Sequence, residues 1–283
     1  MDMLLALVPS ILWGSYSLVI LKLGGNTGQQ TLGVTLGALI FALITFPFTP
    51  HNYTLVNVLV SFISGCVWSL GCLYQMKAFK KVGVSRTIPI TTGMQLIGTS
   101  VLGVIFFKEW GSKSALLVGT LALLLLIIGI TFTSYSENIS EHGNLRSGVI
   151  IILISSVAII ANVMLIKFFS ISSFDAVLPQ SVGMVVGALA ITYQQPKLVS
   201  AKTLQLTLPG ILWALGNLIM LYSNNNFGVV IGFPLSQLGL VISTIGGIFL
   251  LKESKTPKEK KAVLIGLLFV FAGVICIGIS KAL

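Results

Sequence analysis

Residues 115–133 read ALLVGTLALLLLIIGITFT, nineteen apolar, small or hydroxyl residues without one charged side chain. A helix that crosses a membrane needs about 20 predominantly apolar residues, because the hydrocarbon layer is about 30 Å thick. This stretch therefore predicts a transmembrane helix. Comparable runs recur from one end of the chain to the other, so their number and spacing decide the fold class.

The predicted fold class is an all-α integral membrane protein with ten transmembrane helices. The first five predicted spans are Met3–Leu21, Thr31–Phe48, Leu55–Met76, Thr87–Phe107 and Ala115–Thr133. The second five are Gly148–Ile166, Val177–Tyr193, Leu206–Tyr222, Val229–Leu251 and Ala262–Ile279. The connections are short and carry the residues of turns, so no soluble domain is predicted between the spans.

The composition agrees with a membrane protein, since 55% of the residues are hydrophobic and only 8% are charged. Soluble domains have about 25% charged residues. The net charge of +10 does not indicate a nucleic-acid partner, because the cations lie in connections and do not form one soluble basic face. Anionic lipid headgroups are their expected partners. Cys66, Cys72 and Cys276 lie in apolar runs, so no disulfide, metal or cofactor is predicted.

None of the ten predicted spans contains Asp, Glu, Lys or Arg. Carboxylates inside membranes commonly bind cations or carry protons, so a cationic substrate is not expected. An enzyme is not expected either, because His51 and His142 lie in connections and no two acids share one membrane depth. These absences favour the transport of a neutral molecule.

The distribution of basic residues predicts the orientation of the chain. Thirteen of the 17 Lys and Arg residues lie in the connections that follow spans one, three, five, seven and nine, and four lie on the opposite side. Connections rich in Lys and Arg stay in the cytoplasm. We therefore predict a multi-pass protein of the cytoplasmic membrane whose basic loops are cytoplasmic and whose two termini lie outside.

The two halves of the chain, residues 1–140 and 141–283, resemble each other at a shift of about 145 positions. The stretch from Gly65 to Gly71 matches the stretch from Gly210 to Gly216, with Trp68 opposite Trp213. Each half contains five predicted spans, an odd number, so the two copies enter the membrane in opposite directions. Such inverted repeats are typical of transporters whose substrate site lies near the midplane, where the copies meet.

Polar and aromatic residues inside the spans are the candidates for binding a substrate. Amides and hydroxyls both donate and accept hydrogen bonds, as sugar hydroxyls do, and an indole ring can cover the apolar face of a sugar. The alternative for each amide is a hydrogen bond between helices, which contributes about 0.6 kcal/mol on average. The predicted site residues are Trp13, Trp68, Gln75, Thr91, Thr92, Gln95, Gln180, Trp213, Asn217, Ser236 and Gln237.

Two further patterns occur at related places in the two halves. Pro89 and Pro234 stand early in spans four and nine, where a proline frees a backbone carbonyl one turn earlier. Either an ordinary kink or a broken helix at a binding site explains them. Gly33 and Gly37 in span two, and Gly183 and Gly187 in span seven, form small-residue patterns that we interpret as helix-packing surfaces.

Several stretches resemble the glucose/ribose porter family of sugar uptake proteins, within the drug/metabolite transporter superfamily. They are LWGS at 12–15, QTLG at 30–33, GVSRTIPITTGMQL at 83–96, QSVGM at 180–184, GFPLSQL at 232–238 and STIGGIF at 243–249. The resemblance covers nearly the whole chain. It implies a ten-helix inverted-repeat fold and proton-coupled uptake of a monosaccharide, with glucose first and ribose next. Cys72 departs from the family, in which a glutamine is expected after the glycine at position 71.

Proton symport is implied by the resemblance only, because no predicted span contains a carboxylate or a histidine. The nearest acids are Glu109, Glu253 and Asp175, at the edges of connections. Facilitated diffusion therefore remains an alternative mechanism. Export of another small metabolite on the same fold is a second alternative.

Overall fold

The structure is a computed structural model of the 283-residue chain. It describes residues 7–49, 51–108, 110–135, 137, 139–227, 239–280 and 282–283. Side chains at 139–145, 173 and 221–227 also lie outside the described part. Within these limits the secondary structure is entirely helical.

Among the described residues, the helices of 11 or more residues are numbered in chain order. They are α1 (Val8–Leu23), α2 (Thr27–Thr45), α3 (Leu55–Val82), α4 (Val84–Phe107), α5 (Lys113–Thr133), α6 (Ile139–Phe168), α7 (Ser173–Thr192), α8 (Thr207–Phe227), α9 (Gly239–Phe249) and α10 (Pro257–Ser280). A 3-10 turn at Phe46–Phe48 follows α2, and a short helix at Ala201–Gln205 precedes α8.

Eight of the described helical segments are long and apolar enough to cross a membrane. The shorter apolar helices are α1 and α9, and residues 1–6 and 228–238 next to them lie outside the described residues. The predictions of an all-helical fold and a multi-pass membrane protein are confirmed.

Several helices extend beyond the apolar intervals predicted from the sequence. The end of α3 at Val82 takes in Lys77, Lys80 and Lys81, and the first turns of α4 and α10 contain Arg86 and Glu259. Hydropathy marks where the hydrocarbon ends, whereas a helix continues as long as its backbone hydrogen bonds and caps permit. Charged side chains consequently belong to the ends of several helices.

The chain divides by contacts into two compact units, and each contains segments from both halves of the sequence. The first, called the α2–α7 unit, comprises residues 19–80 and 151–214. The second, called the α5–α10 unit, comprises residues 1–18, 81–150 and 215–283. The predicted boundary at residue 140 separates sequence repeats and not contact units, and it stays a prediction.

Helices that the predicted repeat makes equivalent pack together inside each unit. In the α2–α7 unit, α2 packs against α7. In the α5–α10 unit, α5 packs extensively against α10, and α4 packs against α9. Helices five positions apart in the chain order are therefore neighbours.

Close backbone approach at glycine explains the packing inside the α2–α7 unit. A Cβ atom added to Gly183 would lie 2.0 Å from the carbonyl oxygen of Phe62 in α3. One added to Gly37 would lie 2.1 Å from the carbonyl oxygen of Thr207 in α8. Since real side chains cannot fit at these distances, the glycine patterns of α2 and α7 serve helix packing, as the sequence predicted.

The core of the α5–α10 unit is apolar and lies mainly between α5 and α10. Its fully buried side chains include Leu126, Val270 and Val274, and Leu96 of α4 and Leu240 of α9 extend the same cluster. This packing fixes α4 beside α5 and α10 and thus places the predicted site residues of α4.

Candidate functional site

Two tryptophans at matching positions of the predicted sequence repeat touch each other inside the α2–α7 unit. The ring centroids of Trp68 in α3 and Trp213 in α8 are 4.9 Å apart, with an interplanar angle of 52°. Trp68 is buried and Trp213 is half-buried. A tilted pair of this kind is a favourable aromatic arrangement, and it presents indole surface next to the polar residues of α3.

Those polar residues form a stripe along one face of α3. Ser64, Trp68, Gly71 and Gln75 follow one another at spacings of three or four residues, which places them on the same side of the helix. Gln75 is half-buried at the cytoplasm-facing end predicted for this helix. The stripe combines aromatic surface with groups that donate and accept hydrogen bonds.

Two amides from neighbouring helices converge on Ser64. The Gln180 Nε2 of α7 donates to the Ser64 Oγ at 3.2 Å, and the Asn162 Nδ2 of α6 donates to the Ser64 carbonyl oxygen at 3.0 Å. Gln180 belongs to the predicted site, whereas Asn162 does not. The sequence signal for Asn162 was an amide deep inside an apolar run, where it needs a partner.

A separate contact holds α6 against the same face of α3. The Ser155 hydroxyl donates to the Gly71 carbonyl oxygen at 2.7 Å. A Cβ atom at Gly71 would lie 2.7 Å from a side-chain carbon of Ile159, so α6 approaches α3 closely at this level. Ser155 thus connects the two helices through a backbone carbonyl oxygen of α3.

The α5–α10 unit contains a second group of predicted residues. The indole Nε1 of Trp13 in α1 lies 2.7 Å from the place where a Cβ atom of Gly216 would stand. Asn217 follows Gly216 in α8 and is half-buried. Only a glycine allows the Trp13 ring to rest on the α8 backbone beside Asn217.

The predicted residues of α4 differ in what their side chains do. The Thr91 hydroxyl is buried and donates within its own helix, 2.8 Å from the Thr87 carbonyl oxygen and 3.0 Å from that of Ile88. Thr92 and Gln95 are half-buried. The helix continues through Pro89 to Phe107, and Pro234, Ser236 and Gln237 lie outside the described residues.

The acids singled out from the sequence hold backbone amides. Asp175 in the first turn of α7 is buried and accepts from the backbone N–H of Asn52 at 2.6 Å. Glu253 accepts from the backbone N–H of Val84 at 2.6 Å and from the Ser85 hydroxyl. Glu109 lies outside the described residues. Among the residues that the structure covers, no group of His, Cys, Asp and Glu side chains is arranged to hold a metal ion.

Sequence reasoning missed the buried ion pair of the α5–α10 unit. The Arg86 Nη2 lies 3.1 Å from the Glu259 Oε1, and both side chains are almost completely buried. Their 173-residue separation gives no local signal, and each residue lies just outside a predicted span.

Comparison with known proteins places the chain in a family. Residues 4–280 match the family described as "Sugar transport protein". A Listeria monocytogenes protein named "Putative sugar uptake protein" is 49% identical, covering 99% of both chains. The protein named "Glucose uptake protein GlcU" from Bacillus subtilis is 42% identical, covering 99% of both chains. One crystal structure covers 98% of this chain and 97% of its own, with a TM-score of 0.61 and 12% identity, and it supports the fold alone.

Proposed function

Because this chain belongs to the sugar transport protein family, we propose that it carries a neutral monosaccharide into the cell across the cytoplasmic membrane, with glucose as the first candidate. Family membership makes the chain a transporter and not an enzyme. The relative named for glucose uptake matches nearly the whole chain, which supports glucose ahead of ribose.

The aromatic pair beside the amides of α3 and α7 carries the proposal. Trp68 and Trp213 offer indole faces on which the apolar C–H side of a sugar ring can lie. Gln75 and Gln180 supply groups that match sugar hydroxyls as donors and acceptors. We propose these four residues as substrate contacts, and the residues Trp13, Thr91, Thr92, Gln95, Asn217, Ser236 and Gln237 as further candidates.

Transport by alternating access between two inverted five-helix repeats is part of the same proposal. Lys108 and Lys252 occupy matching positions of the two halves, and both have a φ of 53°, in the left-handed region. Non-glycine residues seldom adopt this conformation, so the coincidence supports a repeated structure. The pairing of α2 with α7 and of α5 with α10 also supports it.

Two coupling modes follow from different observations. The resemblance to the porter family implies proton symport. The absence of acids and histidines from the predicted spans favours facilitated diffusion. The acids Asp175 and Glu253, at the helix ends, are the described groups to test if protons are coupled.

Uptake by the purified protein in proteoliposomes tests the function. We expect labelled glucose to enter faster than labelled ribose, and both faster than in empty vesicles. Accumulation above equilibrium under an inward proton gradient, abolished by a protonophore, establishes symport. Equilibration of the sugar at a rate that does not depend on the proton gradient establishes facilitated diffusion. Failure to take up either sugar overturns the proposal.

Replacement of the aromatic residues tests the site. Trp68→Ala and Trp213→Ala should each weaken apparent glucose affinity about threefold to tenfold, which corresponds to the loss of one aromatic contact. Trp110→Ala is the control, because that indole packs against Gly119 in the α5–α10 unit. Equal losses in all three variants would contradict the assignment.

Chemical labelling tests the orientation. Lys258 is exposed at the start of α10, in a loop predicted to be cytoplasmic. In a background without the native cysteines, Lys258→Cys should resist an impermeant thiol reagent in intact cells and react after permeabilisation. Ready labelling of intact cells would reverse the predicted orientation.

A further inference from the structure

We propose that Ser64 and Asn162 determine which sugar hydroxyls the protein recognises, because Ser64 fixes the amides of Asn162 and Gln180 with their carbonyl oxygens left as acceptors. This inference rests on the proposed function and adds two residues to its site. All three residues belong to the α2–α7 unit, on α3, α6 and α7 respectively.

The contact of Asn162 fixes which way its amide is turned. The atom of Ser64 within 3.0 Å of the Asn162 side chain is the backbone carbonyl oxygen, which can only accept. The neighbouring amide atom must therefore be the nitrogen. Asn162 is only 6% exposed, so turning the amide over would bring two acceptors together in a buried position at a considerable cost.

The contact of Gln180 is fixed by the single proton of the Ser64 hydroxyl. That proton is donated to the Ser61 carbonyl oxygen at 2.9 Å, within α3. The Ser64 Oγ therefore accepts from Gln180, and the amide atom at 3.2 Å is again the nitrogen. Residue 64 thus orients two amides from two different helices, that of Gln180 through its hydroxyl and that of Asn162 through its backbone carbonyl oxygen.

The consequence is a pair of carbonyl acceptors beside the aromatic surface. Within the part of the chain that the structure describes, no hydrogen bond is made to the Asn162 Oδ1 or the Gln180 Oε1. Ser64 lies one helical turn before Trp68 on the same face of α3. A sugar against the indole can direct hydroxyl protons to these oxygens, whereas an analogue that lacks the hydroxyl leaves them unpaired.

Uncharged acceptors held in this way discriminate between sugars that have a hydroxyl at the matching position and sugars that lack it. A site that is built to bind a substrate hydroxyl disfavours the analogue without it, because buried polar groups of the protein then lose their partner. Asn162 and Ser64 are positioning and specificity residues in this scheme. Ser64 acts through the amides and contacts no sugar itself.

Competition by monodeoxyglucoses against labelled glucose uptake tests the inference. In the unsubstituted protein, removal of a recognised hydroxyl should weaken inhibition about threefold to tenfold, the usual range for one hydrogen bond. Ser64→Ala should reduce the penalty of the analogue whose missing hydroxyl binds Gln180, because this variant lacks the hydroxyl that holds that amide. Asn162→Leu should remove the penalty of the analogue whose missing hydroxyl binds Asn162, because the acceptor itself is lost. The comparison isolates the coupling between one protein group and one hydroxyl.

Ser155→Ala is the matched control, since it also removes a buried serine hydroxyl that joins α6 to α3. It should lower thermal stability like Ser64→Ala and leave every deoxyglucose penalty unchanged. Equal penalty profiles in Ser64→Ala, Ser155→Ala and the unsubstituted protein would overturn the inference while glucose uptake stands. Absence of sugar uptake by the unsubstituted protein would overturn the proposed function and this inference with it.

Discussion

The N-termini of α2 and α4 are held by different chemistry. At α2, in the α2–α7 unit, neutral amides make the contacts to the neighbouring loop. At α4, in the α5–α10 unit, two carboxylates and a guanidinium make them. The comparison separates helix ends that depend on ionisation from helix ends that do not.

The α2 end is fixed by side-chain amides and a cap. Asn26 and Gln29 form a reciprocal capping box, with hydrogen bonds of 2.8 and 2.9 Å. The Gln29 Nε2 also donates to the carbonyl oxygen of Lys197 at 2.8 Å, and the Gln195 Oε1 accepts from the backbone N–H of Gly28 at 2.8 Å. Two loops are joined without a formal charge in any of these bonds.

The α4 end is fixed by the segment between α9 and α10. Glu253 binds the first amides of α4, and Gly83 leaves room for it, because a Cβ atom there would lie 2.7 Å from a carboxylate oxygen. Arg86 then pairs with Glu259 at 3.1 Å. Negative groups at a helix N-terminus interact favourably with the helix dipole, but burying ions costs desolvation.

The difference between the two helix ends indicates where a single substitution lowers the free energy of unfolding most. Loss of one amide removes hydrogen bonds of modest net value. Removal of one member of a buried ion pair takes the opposite charge away from the other member, at a cost of about 3–5 kcal/mol. We therefore expect substitutions at the N-terminus of α4 to destabilise the protein more than substitutions at the N-terminus of α2.

Arg86→Ala should produce the largest effect, a loss of about 3–5 kcal/mol of unfolding free energy. Glu259 would remain buried without the Arg86 guanidinium, although it keeps the backbone N–H groups of Glu137 and Thr256. Thermal or denaturant unfolding in detergent measures the loss. The double variant Arg86→Met with Glu259→Leu should lose less, and a single variant close to the unsubstituted protein would contradict the comparison.

Glu253→Ala should have an intermediate effect of about 2 kcal/mol, because it removes charged hydrogen bonds to the first turn of α4. Glu253→Gln should lose less, since its amide oxygen still accepts from the Val84 N–H. Unfolding is measured at low and at high salt. We expect salt to reduce the difference in unfolding free energy between Glu253→Ala and Glu253→Gln. Identical stability of the alanine variant and the unsubstituted protein would exclude Glu253 as a helix cap.

Gln29→Ala should cost about 1 kcal/mol, the usual value of a lost cap, and this cost should not change with salt. Unfolding at two ionic strengths is the measurement. Gln194→Ala is the control, because Gln194 is exposed and bonds only to the neighbouring Tyr193 among the described residues. A marked salt dependence for Gln29→Ala would remove the distinction between the two helix ends.

The smallest effect concerns Glu137, which extends the charged network near α10. The Thr256 hydroxyl and then Lys258 lower the pKa of this carboxyl below its ordinary value of 4.5. Since the folded protein binds this proton less readily than the unfolded chain, the contribution is present above about pH 4.5 and disappears as the pH falls through the lowered pKa.

Glu137→Gln should accordingly flatten the acid side of the stability profile and leave neutral stability nearly unchanged. Unfolding measured between pH 3 and pH 7 checks it, about the range in which carboxyls titrate. An unchanged acid limb would show that the contact with Thr256 is not maintained in solution.

The sequence predicted where the helices lie but not where each of them begins and ends. Apolar runs of nearly twenty residues predicted the spans, because only a helix satisfies its backbone in hydrocarbon. The same reasoning placed Arg86 and Glu259 outside the predicted spans, since both lie where hydropathy falls. Nothing local in the sequence couples these residues, so their buried pairing could not be predicted.

The candidate site was predicted by residue type and not by contact. Trp68 and Trp213 are both predicted site residues and match in the predicted repeat, and the structure brings their rings together. Asn162 is not among the predicted site residues, and its partner Ser64 lies 98 positions away in the chain. Thr91, one of the predicted site residues, uses its hydroxyl within α4.

The sequence by itself determined the membrane class, the helical fold and the family, because these depend on composition, apolar run length and motifs that are local along the chain. Only the tertiary structure decided that α2 packs with α7 and α5 with α10, that Arg86 meets Glu259, and that two amides turn toward Ser64. Those results depend on glycine-permitted approach and on hydrogen-bond partners far apart in sequence, and both exist only after the helices have packed.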